Sequence, residues 1–359
     1  SLCFDNDDAG EAYTKKFVDA FKGVKQHKVF VVNYDGEDPD TGDNFDWDGI
    51  SSDIVLDEMA KDIAKEVENQ SYEFGDKYVK VEVGSKIVYA NKIYRNQWLN
   101  HSGMVEKYIY KKDALYKWLQ SETVEFAERG VCCDYTTTDF VVDDQFNMFD
   151  GFKIKPEKGR LPVKWLEFVK EVICENNNEY FNYFIDWLSD MFKNPNSSTA
   201  IVPVIISEQG VGKGALTTMI ENIIGEKYAT RIDNMENIFG MYNEVIENKL
   251  FINLDEATFG RSKKEQGRLK SLTGNSTITI NGKYRPAYDV DFSCRFIVTS
   301  NDFTPVGVEE GDRRFFVLQA SDKYVNNKSY YDELWKEVYN KDMQAALLYF
   351  LENRNIDSS

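Results

Sequence analysis

Residues 200–225 constrain the fold more than any other stretch, because they require a strand, a glycine-rich turn and a helix in immediate succession. Ile201 to Ile206 is an apolar, β-branched run short enough for a strand buried on both faces. Gly210, Gly212 and Gly214 open backbone conformations closed to residues that carry a Cβ. Leu216, Met219, Ile220, Ile223 and Ile224 then recur at helical spacing, and Gly225 stands where a helix stops. Such a turn aims backbone N–H groups and a positive helix end at one point, which suits a polyphosphate, with Lys213 reaching its outer phosphates. Gly210, Gly212, Lys213, Gly214 and Ala215 are the expected nucleotide-contacting positions. The pattern departs from G-x-x-x-x-G-K-[ST] twice: Ser207 replaces the first glycine, and Gly214 replaces the hydroxyl that normally touches Mg²⁺.

Composition narrows the remaining choices. A chain of 359 residues holds two or three domains, and its opening residues, with no Met, read as a fragment of a longer protein. The longest apolar run is too short to span a bilayer, and no signal peptide precedes it. Five cysteines without a paired framework and two histidines argue for a reducing compartment and against a zinc site. The net charge of −18 argues against nucleic acid until its distribution is read. Residues 1–60 hold 15 Asp/Glu against 5 Lys, whereas residues 261–285 hold seven Lys/Arg against one Glu. A local basic loop can contact DNA on an acidic protein.

The organisation read along the chain is mixed. Leu2 to Phe4 resembles the end of a strand running into Asp5-Asn6-Asp7, and residues 35–53 read as an acidic linker. Tyr78–Val83 and Lys86–Tyr89 alternate across Gly84-Ser85 as a hairpin. Helical patterns are expected around Leu115–Leu119 and Val124–Ala127. Tyr89, Tyr94, Trp98, Tyr108, Tyr110, Tyr116 and Trp118 offer stacking faces for bases beside nearby lysines, but an aromatic core is the more frequent reason for such residues. From Leu161 two helical stripes lead towards the strand at Ile201, broken at Asn194-Pro195.

Beyond the loop, Lys249 to Leu254 is an apolar strand ending in Asp255-Glu256, an acid pair suited to holding Mg²⁺ and activating water. Asp255 is the expected metal ligand and Glu256 the expected base, with Thr217 a weak substitute for the missing hydroxyl. Asn281-Gly282 reads as a tight hairpin turn that places Lys283 near the tip. Cys294 to Ser300 reads as a third buried strand ending in Asn301, and Arg313-Arg314 precedes a further strand from Phe315. Each piece alone also fits a surface hairpin, a capped strand end or a solvated basic turn.

Their order and spacing resemble superfamily 3 helicases, a branch of the AAA+ ATPases, and most closely the primase-helicases of phages, plasmids and large DNA viruses. Phe146 to Phe152, Ile185 to Leu188, Asn194-Pro195 and the helical end from Tyr330 to Leu351 extend the resemblance over residues 145–353. Asp5 and Asp7 before Ala9-Gly10 resemble the last metal-binding motif of a Toprim primase domain. The fold so implied is α/β: an AAA+-like P-loop domain with a central parallel sheet, preceded by a helical collar and a mixed α+β region. The implied boundaries are a Toprim-like remnant and linker at 1–50, a linking domain at 51–160, the collar at 161–199, the ATPase at 200–325 and a helical segment at 326–359.

The resemblance also implies roles. Lys213 binds phosphates, Asp255 holds Mg²⁺, Glu256 polarises water and Asn301 senses the γ-phosphate. Arg314, or Arg313, acts on the neighbouring subunit's ATP, and Arg268 and Lys270 reach the same site. Lys283, Tyr284 and Arg285 grip DNA. The implied protein is a ring, usually a hexamer, that encircles one strand and moves 3′ to 5′; its implied partners are single-stranded DNA or a forked duplex, with a primase domain upstream in the full-length protein. Its implied place is the cytoplasm of an infected host or of a bacterium carrying the plasmid or prophage. Two other readings stay open: an AAA+ switch or loader acting on protein partners, and a weakly catalytic nucleotide-binding scaffold suggested by Gly214.

Overall fold

The computed structural model describes residues 73–121, 124–255, 263–283, 287–302 and 312–356. These fall into two compact units, the first holding the described residues up to 130 together with 143–146, the second the remainder.

In the first unit, β1 (Tyr78–Val83) and β2 (Lys86–Asn91) form the expected antiparallel hairpin, with Gly84 at φ 61 in its turn. β3 (Trp98–Leu99) extends the sheet beside β2. Helices α1 (His101–Lys107) and α2 (Lys112–Gln120) follow, and Phe74, Tyr78, Tyr89, Met104, Leu115 and Trp118 fill the core. The helical expectation at Val124–Ala127 is corrected: Phe126–Ala127 is a short strand, β4, paired in parallel with β1 at Lys80 and Val81. Four residues are too few to sustain a helix against pairing with an available strand.

The second unit is built on a five-stranded, all-parallel sheet. Its strands are β5 (Val202–Ile206), β6 (Ala229–Ile232), β7 (Phe251–Asp255), β8 (Arg295–Ser300) and β9 (Phe315–Gln319), in spatial order β9-β5-β8-β7-β6. Every residue of β5 and β8, two of the three inner strands, is buried, and β5 accordingly reads as a continuous apolar run. Helix α3 (Val163–Phe168) runs into a π-helical turn at Val169–Ile173, and α4 (Asn178–Lys193) follows. Helix α5 (Lys213–Ile224) lies between glycines 212 and 225, both at positive φ. The expected C-terminal helical segment is two helices, α7 (Lys328–Val338) and α8 (Lys341–Asn353), numbered after α6 (Lys263–Gly274). Asn177, Asn327 and Asn340 cap α4, α7 and α8 through their side-chain oxygens, which fixes these helix starts in the sequence.

The segments expected at 161–199, 200–325 and 326–359 share a single core. Trp165, Phe168, Phe184 and Leu188 pack with Leu216, Ile220, Ile297, Leu334 and Leu348. One buried cation pins the helices to the sheet. Arg295, fully enclosed at the start of β8, bonds Asp190 (2.9 Å) and the Ser293 carbonyl (3.0 Å) and also reaches the Ser197 carbonyl. Burial lowers its basicity, and Asp190 only partly opposes this. No described helix is long and apolar enough to cross a membrane, and Cys133, Cys174 and Cys294 are free thiols.

Replacing Arg295 with Met keeps the volume but leaves buried carbonyls unpaired. Arg295→Met is expected to cost about 2–4 kcal/mol, read as a lowered urea midpoint at unchanged slope.

Candidate functional site

The carboxyl ends of β5, β8 and β7 lie side by side, and chain order reverses there: β5 has the last strand, β9, on one flank and β8 on the other. In open parallel sheets, ligands occupy the crevice at such a switch point. After Ile206 the chain turns through residues 207–212 into α5, with Gly210 and Gly212 at φ 88 and 95. Gly212 is required twice over. A Cβ there would sit 2.9 Å from Tyr331 and 3.2 Å from Phe168, on a backbone that side chains rarely adopt. Tyr331 also donates its hydroxyl to the Val211 carbonyl (3.0 Å), so α7 braces the turn. Trp165 braces it from α3, donating its indole N–H to the Ala215 carbonyl (3.2 Å). Gly214 is different, since a Cβ there meets nothing within 4 Å.

Lys213 is held where the strands end. Its Nζ lies 2.6 Å from Asn301 Oδ1 and 2.7 Å from Ser207 Oγ, with the Ser207 carbonyl at 3.3 Å. Ser207 thus accepts from the ammonium while donating its own hydroxyl to the Glu208 carbonyl (2.9 Å). The substitution of serine for the first motif glycine has a structural result: it supplies a ligand for Lys213. Ser207 N also donates to Ser300 O (3.1 Å), fixing the loop to the strand that carries Asn301.

Asp255 stands at the end of β7 beside Thr299, which lies opposite it in register and bonds its Oδ1 at 2.8 Å. Beneath it runs a buried polar column that the strand patterns concealed. Thr299 bonds Asn253 Oδ1 (3.1 Å), Asn253 Nδ2 approaches Thr217 Oγ1 (3.4 Å), and Arg231 donates to Thr217 (3.1 Å) and to Glu221. Arg231 also lies 3.8 Å from Asp255 Oδ2. Burial raises the Glu221 carboxyl above its ordinary range, although Arg231 opposes this. Thr217 is fully buried and committed to this column, so the expectation that it replaces the missing metal-binding hydroxyl is corrected. Among the described residues no group of three or more His, Cys, Asp or Glu gathers to hold a metal.

The remaining candidates are dispersed. Arg313 is exposed and Arg314 half-buried at the amino end of β9, whereas Lys213 follows the carboxyl end of β5. With β9 and β5 parallel, a five-residue strand separates them, about 16 Å. These arginines cannot serve the Lys213 of their own chain. Lys270, on α6, pairs within its own chain with Asp312 at 2.7 Å, and Lys270 holds that carboxyl below its usual range. Asp312 also accepts the Arg314 N–H (3.1 Å), so it links α6 to the arginine pair. Arg268 lies on α6; its side chain, like Asp5, Asp7, Glu256, Tyr284 and Arg285, lies outside what is described.

Lys283 is exposed in the connection between two paired strands, Thr277–Ile280 and Tyr288–Asp291. The two-residue turn expected at Asn281-Gly282 is corrected, because Ile280 pairs with Tyr288 and the connection is seven residues long. Gly282 is buried, and Asn281 instead pairs with Asn243, which donates to Asn281 O and accepts from Asn281 N (2.7 Å). That clamp brings exposed Tyr242 under Lys283, 5.7 Å from ring centre to Nζ. Tyr242, Arg231, Asn253 and Thr299 escaped the sequence reading. Only Asn253 left a signal, as a polar residue inside an otherwise apolar strand.

Comparison with known proteins places this geometry. A model described as a family of unknown function, DUF5906, matches residues 205–314. The DNA primase-polymerase of Nitratiruptor phage NrS-1 is 28% identical over 196 residues, covering 53% of this chain and 27% of that protein. The chain is similar to part of a phage primase-polymerase. It spans about a quarter of that relative's length. An apo structure of the NrS-1 C-terminal region superposes with a TM-score of 0.62 at 20% identity, over 81% of this chain and 69% of that one. An A-form apo structure of the same region gives 0.57 at 21% identity, over 76% and 64%. At these identities the likeness shows a shared fold, mixed α/β with a parallel sheet.

Two predictions test the local geometry. Gly214→Ser is expected to be tolerated, with stability unchanged or raised by up to about 0.5 kcal/mol, whereas Gly212→Ala costs at least about 1 kcal/mol; urea unfolding of both variants gives the comparison. Lys270→Met and Asp312→Asn are expected to be non-additive, coupled by about 0.5–3 kcal/mol in a double-mutant cycle on stability. Additive losses would mean that the pair does not form.

Proposed function

We propose that the second unit is the ATP-driven motor of a replicative DNA helicase and works in a ring. The observation that carries this reading is the meeting of Lys213, Asn301 and Asp255 at the ends of three adjacent parallel strands. A triphosphate set against the N-terminus of α5 would take over the Lys213 ammonium, which now rests on Ser207 and Asn301. Asn301, released, would contact the γ-phosphate or the attacking water, and Glu256, next to Asp255 in sequence, would take that water's proton. Mg²⁺ suits this donor set, because it is commonly held by one carboxylate, here Asp255, with phosphate oxygens and waters completing its shell. It would neutralise charge developing between the β- and γ-phosphates. Arg231 and Thr299 orient Asp255 from below.

The arginine pair supports the ring. Arg313 and Arg314 lie a strand length from their own Lys213, so they complete the site of an adjacent subunit or none. The connection bearing Lys283, Tyr284 and Arg285, with Tyr242 clamped beside it, supplies cations and aromatic faces to a strand of DNA. In this proposal the chain is part of a longer primase-helicase, with Asp5 and Asp7 left from a Toprim-like priming domain, and it works in the cytoplasm of an infected or element-bearing cell. The printed name of the phage relative, a primase-polymerase, favours this setting over the second reading, an AAA+ ATPase that remodels or loads protein partners.

Steady-state ATP hydrolysis with and without single-stranded DNA, measured with particle size, tests it. Turnover is expected in an oligomer, stimulated by DNA, reduced at least about 100-fold by Lys213→Ala and made insensitive to DNA by Lys283→Glu. Turnover indifferent to DNA in the wild type would favour the remodeller. An assembled ring that hydrolyses ATP yet separates no forked duplex would sink the helicase assignment.

A further inference from the structure

We propose a second nucleic-acid surface, on the first unit, that binds single-stranded DNA or RNA independently of the ATP site. Residues 73–121 carry nine Lys/Arg against five Asp/Glu, in a chain whose net charge is −18. That excess coincides with exposed apolar side chains in two loops: Ile93 and Tyr94 after β2, and Ile109 and Tyr110 between α1 and α2. Tyr94 is 58% exposed and Tyr110 75%, whereas Tyr78, Tyr89 and Trp118 are buried. Aromatic residues of this segment therefore divide into a core set and a solvent-facing set. The sequence alone does not separate them.

The two loops share one end of the sheet. Asn91 closes the β2 loop by accepting the N–H groups of Ile93 (2.8 Å) and Tyr94 (2.9 Å), and it stands opposite Tyr78 in the hairpin register. The Tyr78 hydroxyl meets that of Tyr108 at 2.9 Å, immediately before Ile109 and Tyr110. Exposed Lys107 donates to the Tyr78 hydroxyl (3.0 Å) and lies 5.6 Å from the Tyr108 ring centre. Lys77 and Lys111 flank the same end and share one carboxylate, Glu73, at 3.6 and 3.3 Å. Two cations on one carboxylate leave a net positive charge that solvent-exposed pairing does not cancel.

Rings projecting from rigid loops beside ammonium groups match the requirement of unpaired bases: π-faces to stack on and cations for the phosphates between them. A duplex keeps its base faces stacked inside, which is why the occupant is single-stranded. This surface extends the DNA-directed reading above but does not depend on ATP hydrolysis.

The test is binding of a fluorescein-labelled oligothymidylate to the full chain by anisotropy, without nucleotide, in a Lys283→Glu background that removes the other basic contact. Tyr94→Ala/Tyr110→Ala is expected to weaken binding about tenfold or more, with the melting temperature unchanged because both rings face solvent. Tyr94→Phe/Tyr110→Phe is expected to retain it. Lys107→Glu/Lys111→Glu should weaken binding and lower the slope of log affinity against log salt by about 1.4 or more. An alanine pair that binds as tightly as its parent, or a parent that binds no oligonucleotide, overturns the proposal. Loss on the alanine pair in a protein whose ATPase ignores DNA would sustain this surface while removing the helicase reading.

Discussion

The position of the Lys213 ammonium governs the second unit. A cation at the start of α5 already faces the positive helix end, so the chain must supply acceptors from elsewhere. It does so from Ser207 and from Asn301, which lies across the sheet at the end of β8. This contact requires β8 to lie beside β5, and that adjacency requires the connection through α6 and the basic hairpin to leave the sheet and return. The strand order, the serine in the loop and the asparagine at the strand end thus answer one electrostatic demand.

A second demand is met below the strand ends. Inside a sheet buried on both faces, polar side chains must find partners among themselves, and here they also orient the half-buried Asp255. Thr299, Asn253, Thr217 and Arg231 form a chain of bonds from the far edge strand to Asp255, each member satisfied by the next. Polar residues in such strands are tolerated because they are mutually paired. Their cost in burial is offset by holding one acid in a defined direction.

Fold and site were legible to different depths. Gly212, with its positive φ, and the apolar runs at β5 and β8 follow from backbone sterics and burial, which a sequence records directly. The Asn caps likewise mark helix starts. What depended on long-range pairing was hidden: Phe126–Ala127 is a strand only because β1 offers a partner, and Asn281-Gly282 is not the turn because Asn243 holds Asn281 aside. Lys270 read as a cation for a neighbouring chain because nothing nearby in sequence reveals that Asp312 folds back to it. Aromatic residues at 78–118 looked alike, and only packing sorts core rings from exposed ones.

The placement of Arg313 and Arg314 at the opposite end of the edge strand has a genetic consequence. On the proposed reading each chain holds the phosphate half of one site and the arginine half of another. A chain altered at Arg314 would keep its own loop intact yet silence the copy beside it. Mixed into a normal population, such chains would act as dominant poisons in proportion to their share of ring positions, whereas loss of Lys213 would inactivate the site on the other flank. The two lesions would therefore be distinguishable by whether the altered chain or its neighbour falls silent.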